Sequence, residues 1–538
     1  MHLPLNLKDT AVHQYWLLLA ATVLFGVYFL FVGNSAGFGF ADEGYLYYLS
    51  WSILDGRLVY NDFELGSYPP GLFLLYAICF KLLGLSVSVG RATSAILLIA
   101  NIWLCFLVVR TLATSRWAVL AIILSGLLPG PWHKAYVGTL FMAALLLGVR
   151  IHQKEAVRDF VFMGILIALS LQVRLDGAVC AAAMLLAALL GKPVTPRLMR
   201  RIGILVLSLI LTMAPLLIYL ADNHLADDYL MQLVNYFNMA SERTTSWYRL
   251  QAPSLTQLRD GGLSSFAALF YGSITVLAAV GLLPLLTLLF NRRGNGKALH
   301  IQLLILLWAL LNTPQYACER PDPAHLYQRG FVFVICTCFL LGPQGFRTLR
   351  RRGFHLVHTG LLLFLLLYLN FGLHSGAAGG LAWMQKKIRT VTLRNQMSFR
   401  VHPNSPWKAI AEKIDDQHTP GDRVAAIPYG PGLNFVLQLH PPGNRVIYFP
   451  NVISNTTEDV RTADQVSQAD FILLAPNFRL SPNPAAALDC YAPALSDQLR
   501  KEFTVTMAKG SLLLLQPRND TERQTTVNLV QCQEPPRR

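Results

Sequence analysis

Long apolar runs alternate with short polar gaps up to about residue 373, and there the alternation stops. Eleven runs read as membrane-spanning helices: 15–32, 88–109, 117–128, 136–149, 160–173, 178–190, 202–221, 266–290, 299–312, 330–342 and 356–371. Several are shorter than the ~20 residues that cross a hydrocarbon core unaided, so flanking residues or burial in a bundle must complete them. A further apolar stretch, 71–83, carries Lys81 near its end and is expected to lie at the membrane interface and not to cross.

The polar gaps give the orientation, because basic residues collect on the cytoplasmic side. With eleven spans and a cytoplasmic N-terminus, the inner gaps hold 17 Lys and Arg residues, among them Arg150, Lys192, Arg201, Arg293 and Arg350. Counting 71–83 as a span would turn most of those gaps outward. The first run has no small-residue cleavage signal after it and reads as a retained span. Residues 1–373 are therefore expected to form a transmembrane domain and 374–538 a separate soluble domain outside.

In that tail the periodicity changes. Strands are expected at 423–427, 445–448, 471–475, 503–507 and 511–516, with helices at 432–439 and 457–468, which predicts a small α/β domain with a partly parallel sheet. The fold class is thus a polytopic α-helical membrane protein with about 11 transmembrane helices, interfacial helices in the first outer loop, and a C-terminal α/β extracytoplasmic domain.

Composition sharpens this reading. The 538 residues are 54% apolar and only 14% charged, against roughly 25% charged in soluble domains, so fibrous, disordered and purely cytosolic proteins are excluded. A net charge of +15 would suggest nucleic acid in a soluble chain. Here the cations sit in the gaps between apolar runs, without aromatic interleaving, and report topology instead.

The unusual polar residues gather in the expected outer loops. The first carries Asp42-Glu43-Gly44, Leu54-Asp55-Gly56-Arg57, Asp62 and Tyr68-Pro69-Pro70-Gly71; later ones carry His133-Lys134, Arg174 with Asp176, and Arg320-Pro321-Asp322 with His325. Each also has a plainer reading. Asp42 and Glu43 suit the start of a helix, Arg174 and Asp176 suit an ion pair closing a span end, and His133-Lys134 suits a snorkelling boundary. Pro321 and Pro323 stiffen the Arg320 loop and favour a functional role there.

The run Asp42-Glu43-Gly44, Leu54-Asp55-Gly56-Arg57, Asp62, Tyr68-Pro69-Pro70-Gly71 and then Arg91 resembles the first outer loop of GT-C superfamily glycosyltransferases. It looks most like the branch of protein O-mannosyltransferases and lipid A aminoarabinose transferases. The resemblance is carried by residues 41–110, and Arg320-Pro321-Asp322 with His325 resembles a late outer-loop motif of some bacterial members. It implies a polyprenyl-phosphate-linked sugar donor, a glycan, lipid or protein acceptor hydroxyl, and a bacterial inner membrane among whose lipids the enzyme works.

It also implies roles. Asp42 would be the general base, with Glu43 beside it orienting the base or binding sugar hydroxyls. Arg174, Arg320 and Lys134 would meet the departing phosphate, since guanidinium and ammonium groups suit phosphate oxygens. Asp176, Asp322 and His325 would bind sugar hydroxyls, and Arg57, Asp62, Tyr68 and His133 complete the expected substrate-binding set. A divalent metal is not favoured, because no His-x-x-x-His or Cys-x-x-Cys spacing points to one, and no Walker loop or other cofactor motif is present.

Five of eight cysteines, Cys79, Cys105, Cys180, Cys336 and Cys338, fall in apolar helices and read as small buried side chains. Cys490 and Cys532 share the outer tail, where an oxidising compartment permits a disulfide. The competing function class is a multi-span transporter or flippase of lipid-linked glycans, which would show intramembrane ionisable residues and internal repeats. A non-catalytic scaffold is the other rival.

Overall fold

The computed structural model describes residues 7–65, 68–113, 115–126, 132–231, 234, 296–312, 330–341, 388–450, 452–476 and 487–518. Nine of the eleven expected spans fall on helices within them, and the spans at 266–290 and 356–371 lie outside the described residues. The helices are α1 (Leu7–Ser35), α2 (Asp42–Leu54), α3 (Gly71–Leu83), α4 (Val87–Leu112), α5 (Ser115–Gly126), α6 (Tyr136–Lys154), α7 (Val157–Val173), α8 (Leu175–Leu189), α9 (Pro196–Asp222), α10 (Gly296–Asn312) and α11 (Gly330–Leu341). Among the described residues, α1 from Tyr15, α4, α6 and α9 are long and apolar enough to cross a membrane. The stretch expected at the interface is the 13-residue helix α3.

Exposure follows from that solvent. Val23, Leu24 and Val27 on α1 and Leu207 and Leu211 on α9 are exposed apolar side chains. Exposed apolar side chains along helices of this length suit a lipid surrounding.

Two compact units make up the chain, and neither is continuous in sequence. One comprises 1–33, 91–222 and 240–382; the other comprises 34–90, 223–239 and 383–538, so the expected first outer loop shares a unit with the tail. The domain boundary expected at residue 373 falls outside the described residues.

The first unit is a helical bundle closed by small residues and satisfied polar groups. A side chain at Gly164 would meet the Leu205 carbonyl at 2.3 Å, so glycine lets α7 and α9 approach closely. Asn101 donates to the Ala135 carbonyl and accepts from Thr139, 2.8 Å each. Glu155, just past α6, pairs with Lys192 at 2.6 Å and with Arg201. Two residues counted as topology markers thus also bind a common carboxylate.

In the second unit the tail forms a hairpin and a mixed sheet. β1 (Arg389–Thr392) pairs antiparallel with β2 (Ser398–Val401). After α12 (Pro406–Gln417) come β3 (Val424–Ile427), α13 (Gly432–Leu437), α14 (Thr456–Ser467), β4 (Phe471–Leu474), α15 (Leu488–Tyr491), α16 (Pro493–Glu502), β5 (Phe503–Lys509) and β6 (Leu512–Pro517). The order is β3-β4-β6-β5, parallel between β3 and β4 and antiparallel elsewhere. Fully apolar strands such as Phe471–Leu474 are buried on both faces. Their core includes Ile472, Leu474, Val466, Leu495 and Leu515. Asp459 on α14 accepts from the Ala494 and Leu495 amides and so caps α16.

One tail expectation fails. Residues 445–448 are not a strand; only Tyr429 and Ile447 make an isolated bridge. Pro441, Pro442 and Pro450 interrupt pairing there, and the Arg445 side chain is drawn into a buried ion-pair cluster. Helix α13 ends at Leu437, where Gln438 turns left-handed at φ 55°.

Candidate active site

The second unit places the first-loop residues. Helix α2 begins at Asp42, with both carboxylates in its first turn and no side-chain bond from Ala41. Glu43 closes the helix start itself: its Oε2 accepts from the Gly39 amide at 2.9 Å and its Oε1 from Tyr47 Oη at 3.2 Å. Asp42 Oδ1 instead accepts from Tyr429 Oη of the tail at 3.0 Å. The adjacent carboxylates therefore do different work, one holding the helix and the other taking a donor from a distant segment.

The phenols around Asp42 stay protonated. Burial first, then the Asp42 charge and Tyr45, pushes Tyr429 well up. Burial, then Tyr68, Glu64 and Asp42, does the same to Tyr45. Tyr45 Oη is buried without a hydrogen-bond partner among the described residues, which leaves one protonated phenol in reserve beside the carboxylate.

Arg57 and Asp62 are brought together where the loop turns. Arg57 Nη2 donates to the Asp62 carbonyl, and Asp62 Oδ2 accepts from the Leu58 amide at 2.7 Å. Arg57 Nη1 also reaches Tyr48 Oη at 3.3 Å and His440 Nδ1 at 3.1 Å. His440 Nε2 faces Asp55 Oδ2 at 2.8 Å, and its ring lies flat on Trp51, 4.6 Å between centroids. The Arg57 guanidinium can only donate, so Nδ1 accepts from it and Nε2–H donates to Asp55. Burial, followed by the Arg57 charge opposing Asp55, lowers its pKa. Nearby, Arg445 binds Glu458 at 2.7 Å and Glu64 at 3.4 Å.

The first unit holds other expected residues. Lys134 is buried in a short 3-10 turn, Trp132–Lys134, with His133 beside it. Arg174 ends α7 in extended backbone and pairs through Nε with Asp176 Oδ1 at 2.8 Å, in the first turn of α8. Arg320, Asp322 and His325 lie outside the described residues. Cys490 is disulfide-bonded, and its expected partner Cys532 also lies outside them. Among the described residues, no group of three His, Cys, Asp or Glu side chains is placed to hold a metal ion.

Sequence reasoning did not find Tyr429 or His440. Both come from the tail, 387 and 385 positions from their loop partners, and nothing local in Pro428-Tyr429-Gly430-Pro431-Gly432 or around His440 marks a distant carboxylate.

Residues 67–219 match the family described as dolichyl-phosphate-mannose-protein mannosyltransferase. The match takes in Tyr68, His133, Lys134, Arg174 and Asp176 and begins after Asp42, Glu43, Arg57 and Asp62. It falls on the same family branch as the first-loop resemblance. No curated protein matches the chain.

Among solved structures, the chain is similar to ArnT from Cupriavidus metallidurans bound to undecaprenyl phosphate, at 15% identity over 94% of this chain and 98% of that one, TM-score 0.48. It is similar to oligosaccharyltransferase AglB from Archaeoglobus fulgidus in complex with an inhibitory peptide and a dolichol-phosphate, at 12% identity over 93% of this chain and 74% of that one, TM-score 0.47. It is also similar to arabinofuranosyltransferase AftD from Mycobacteria, at 13% identity over 94% of this chain and 40% of that one, TM-score 0.44.

Proposed function

We propose that the chain is a glycosyltransferase that moves one sugar from a polyprenyl-phosphate donor to an acceptor hydroxyl at the extracytoplasmic membrane face. The observation that carries this reading is Asp42: a carboxylate in the first turn of α2, beside Glu43 that accepts from the Gly39 amide, and given a protonated phenol by Tyr429. The family match over residues 67–219 supports the donor class. The cytoplasmic N-terminus, the extracytoplasmic tail and the bacterial inner membrane belong to the same proposal and rest on the distribution of Lys and Arg.

In the proposed step Asp42 takes the proton of the acceptor hydroxyl as its oxygen attacks the anomeric carbon. The bond from that carbon to the phosphate oxygen breaks, and the electron pair leaves with the lipid phosphate. Displacement at one centre inverts the anomeric configuration. The departing anion needs cations, for which Lys134, Arg174 and Arg320 are proposed. Asp176, Asp322 and His325 are proposed for sugar hydroxyls. No metal is assigned a role.

The test places the protein in lipid discs with a panel of hexosyl and pentosyl polyprenyl phosphates and follows release of free lipid phosphate, beside Asp42→Asn. Release from one donor that falls on the order of a hundredfold or more in the variant is expected for a lost general base, and identifies the sugar. Unchanged release in the variant removes Asp42 from the role. Absence of release from every donor, even with crude envelope extract as acceptor, rejects the transferase.

A further inference from the structure

A cleft of about 680 Å³ opens in the second unit between the loop that carries Arg57 and Asp62 and the tail segments around Arg423, His440 and Gln465. Its size falls within the roughly 300–1,000 Å³ of small-molecule sites, and its lining is more polar than apolar. Side-chain amides dominate: Asn61, Gln438, Asn444, Gln465 and Gln468, with Arg57, Arg423 and Arg461 as the cations.

The local structure explains how the amides reach the cleft. Gly443 stands at φ 73°, and a side chain there would strike the Gln465 carboxamide at 2.5 Å, so the glycine leaves room for that amide to lie along the wall. Gln438 is turned out of α13 by its left-handed backbone. Asn444 Oδ1 is buried with no hydrogen-bond partner among the described residues.

The charges are unequally committed. Arg57 is held by His440 and the Asp62 carbonyl, and Arg423 donates to Gln468 Oε1 at 2.8 Å. The two carboxylates are engaged locally: Asp62 accepts from the Leu58 amide and the Asn61 side chain, and Asp422 from the Thr419 amide and hydroxyl. Arg461 is the looser cation, half exposed and 3.7 Å from Glu458. The cleft thus offers one readily available guanidinium amid several amides, each able to donate and accept.

We infer that this cleft binds an acidic saccharide, with Arg461 meeting a carboxylate of the sugar and Gln438 and Gln465 meeting its hydroxyls. Paired donor and acceptor atoms match vicinal hydroxyls, and a guanidinium fork matches a planar anion. A simple anion site would not need the amides, and a neutral sugar would not need Arg461. Asp42 is not among the residues that line the cleft, and the inference extends the proposed function, on which it rests, by assigning an envelope glycan to the outer unit.

The test measures binding of oligogalacturonate to the full chain in lipid discs, beside its methyl ester of equal length, inorganic sulfate and a glutamate-rich peptide. Oligogalacturonate is expected to bind with the highest affinity. Arg461→Gln should weaken it about tenfold, the order expected for one charge-assisted hydrogen bond, and Arg461→Lys should weaken it less. Gln465→Ala should weaken the oligogalacturonate and leave sulfate unchanged. Equal affinity for the methyl ester, sulfate or the peptide overturns the inference, as does binding indifferent to both Arg461→Gln and Gln465→Ala. Asp42→Asn separates the two proposals: it is expected to keep oligogalacturonate binding while losing turnover. Unchanged turnover there would sink the catalytic role and leave the cleft standing.

Discussion

Tyr429 Oη donates a 3.0 Å hydrogen bond to Asp42 Oδ1 across 387 positions of sequence. Because burial keeps that phenol protonated, it is a fixed donor that sets where the carboxylate points. Tyr429→Phe removes the donor and keeps the ring. A hydrogen bond to a charged group contributes about 1.5–3 kcal/mol, so donor turnover should fall about ten- to a hundredfold, with KM for the lipid donor little changed. Steady-state kinetics against donor concentration read this split. A rise in KM at constant kcat would make Tyr429 a binding residue and deny it the positioning role.

The loop is fastened to the tail by backbone contact as well. A side chain at Gly44 would lie 2.3 Å from the Gly432 Cα, and the Gly432 amide donates to the Phe40 carbonyl at 2.9 Å. Phe40 stacks on Trp407 at 4.4 Å beside this contact. Gly44→Val should therefore force α2 off α13 and cost about 1–3 kcal/mol, the usual penalty of overpacking. Gly56→Ala is the comparison for general disturbance of the loop, since that position is open but left-handed. Thermal midpoints in lipid discs check the difference; no loss in Gly44→Val would mean that the two helices do not need this approach.

Much of the architecture was legible because lipid imposes long apolar runs and confines charge to the gaps. Helices at nine of the expected spans, the helix at 71–83 and four of the five expected tail strands follow from periodicity alone. Apart from the local hairpin β1–β2, what escaped around the site was held by long-range partners. Residues 445–448 carry the β-branched and aromatic side chains of a strand, but Arg445 answers to Glu64, and the flanking prolines leave no ladder to join. Within the Asp42-Glu43 pair, both the helix-start reading and the functional one were written in the sequence. Gly39, Tyr47 and Tyr429 distribute them between the two side chains.

Arg445 shows what that long-range pairing contributes. Its side chain is 5% exposed, bound to Glu458 and Glu64 and, through Nη1, to Thr462 Oγ1 at 2.7 Å. Arg445→Met would leave Glu64 without this cation and Glu458 with only the half-exposed Arg461, 3.7 Å away. Breaking a buried pair in this way costs about 3–5 kcal/mol, and the partly exposed carboxylates put the expected loss at or below the lower end. Arg445→Met with Glu458→Gln should recover part of it, because one stranded charge is then gone. Urea unfolding followed by tail-specific hydrogen exchange measures both; a double variant no more stable than the single one contradicts the stranded-charge account.

The His440 contact should make the same junction sensitive to acid. The imidazole is stacked on Trp51, gives Nε2–H to Asp55 and receives Tyr48 Oη and Arg57 at Nδ1. Burial, then the nearby Arg57, holds its pKa below the ordinary 6.5, against the opposing pull of Asp55. The folded state thus binds this proton more weakly than the unfolded chain does, so stability rises with pH in that window. The contribution is fully present above pH 6.5 and is lost as pH falls through the depressed folded value. Protonation would also turn Nδ1 from an acceptor into a donor facing the Arg57 guanidinium, which breaks the network as well as charging it. The thermal midpoint of the wild type in lipid discs should fall more between about pH 7.5 and 5, the range in which histidine titrates, than that of His440→Gln. The variant should start lower at the upper pH and show a shallower acid step, whereas parallel curves for the two proteins would exclude His440 as the group responsible.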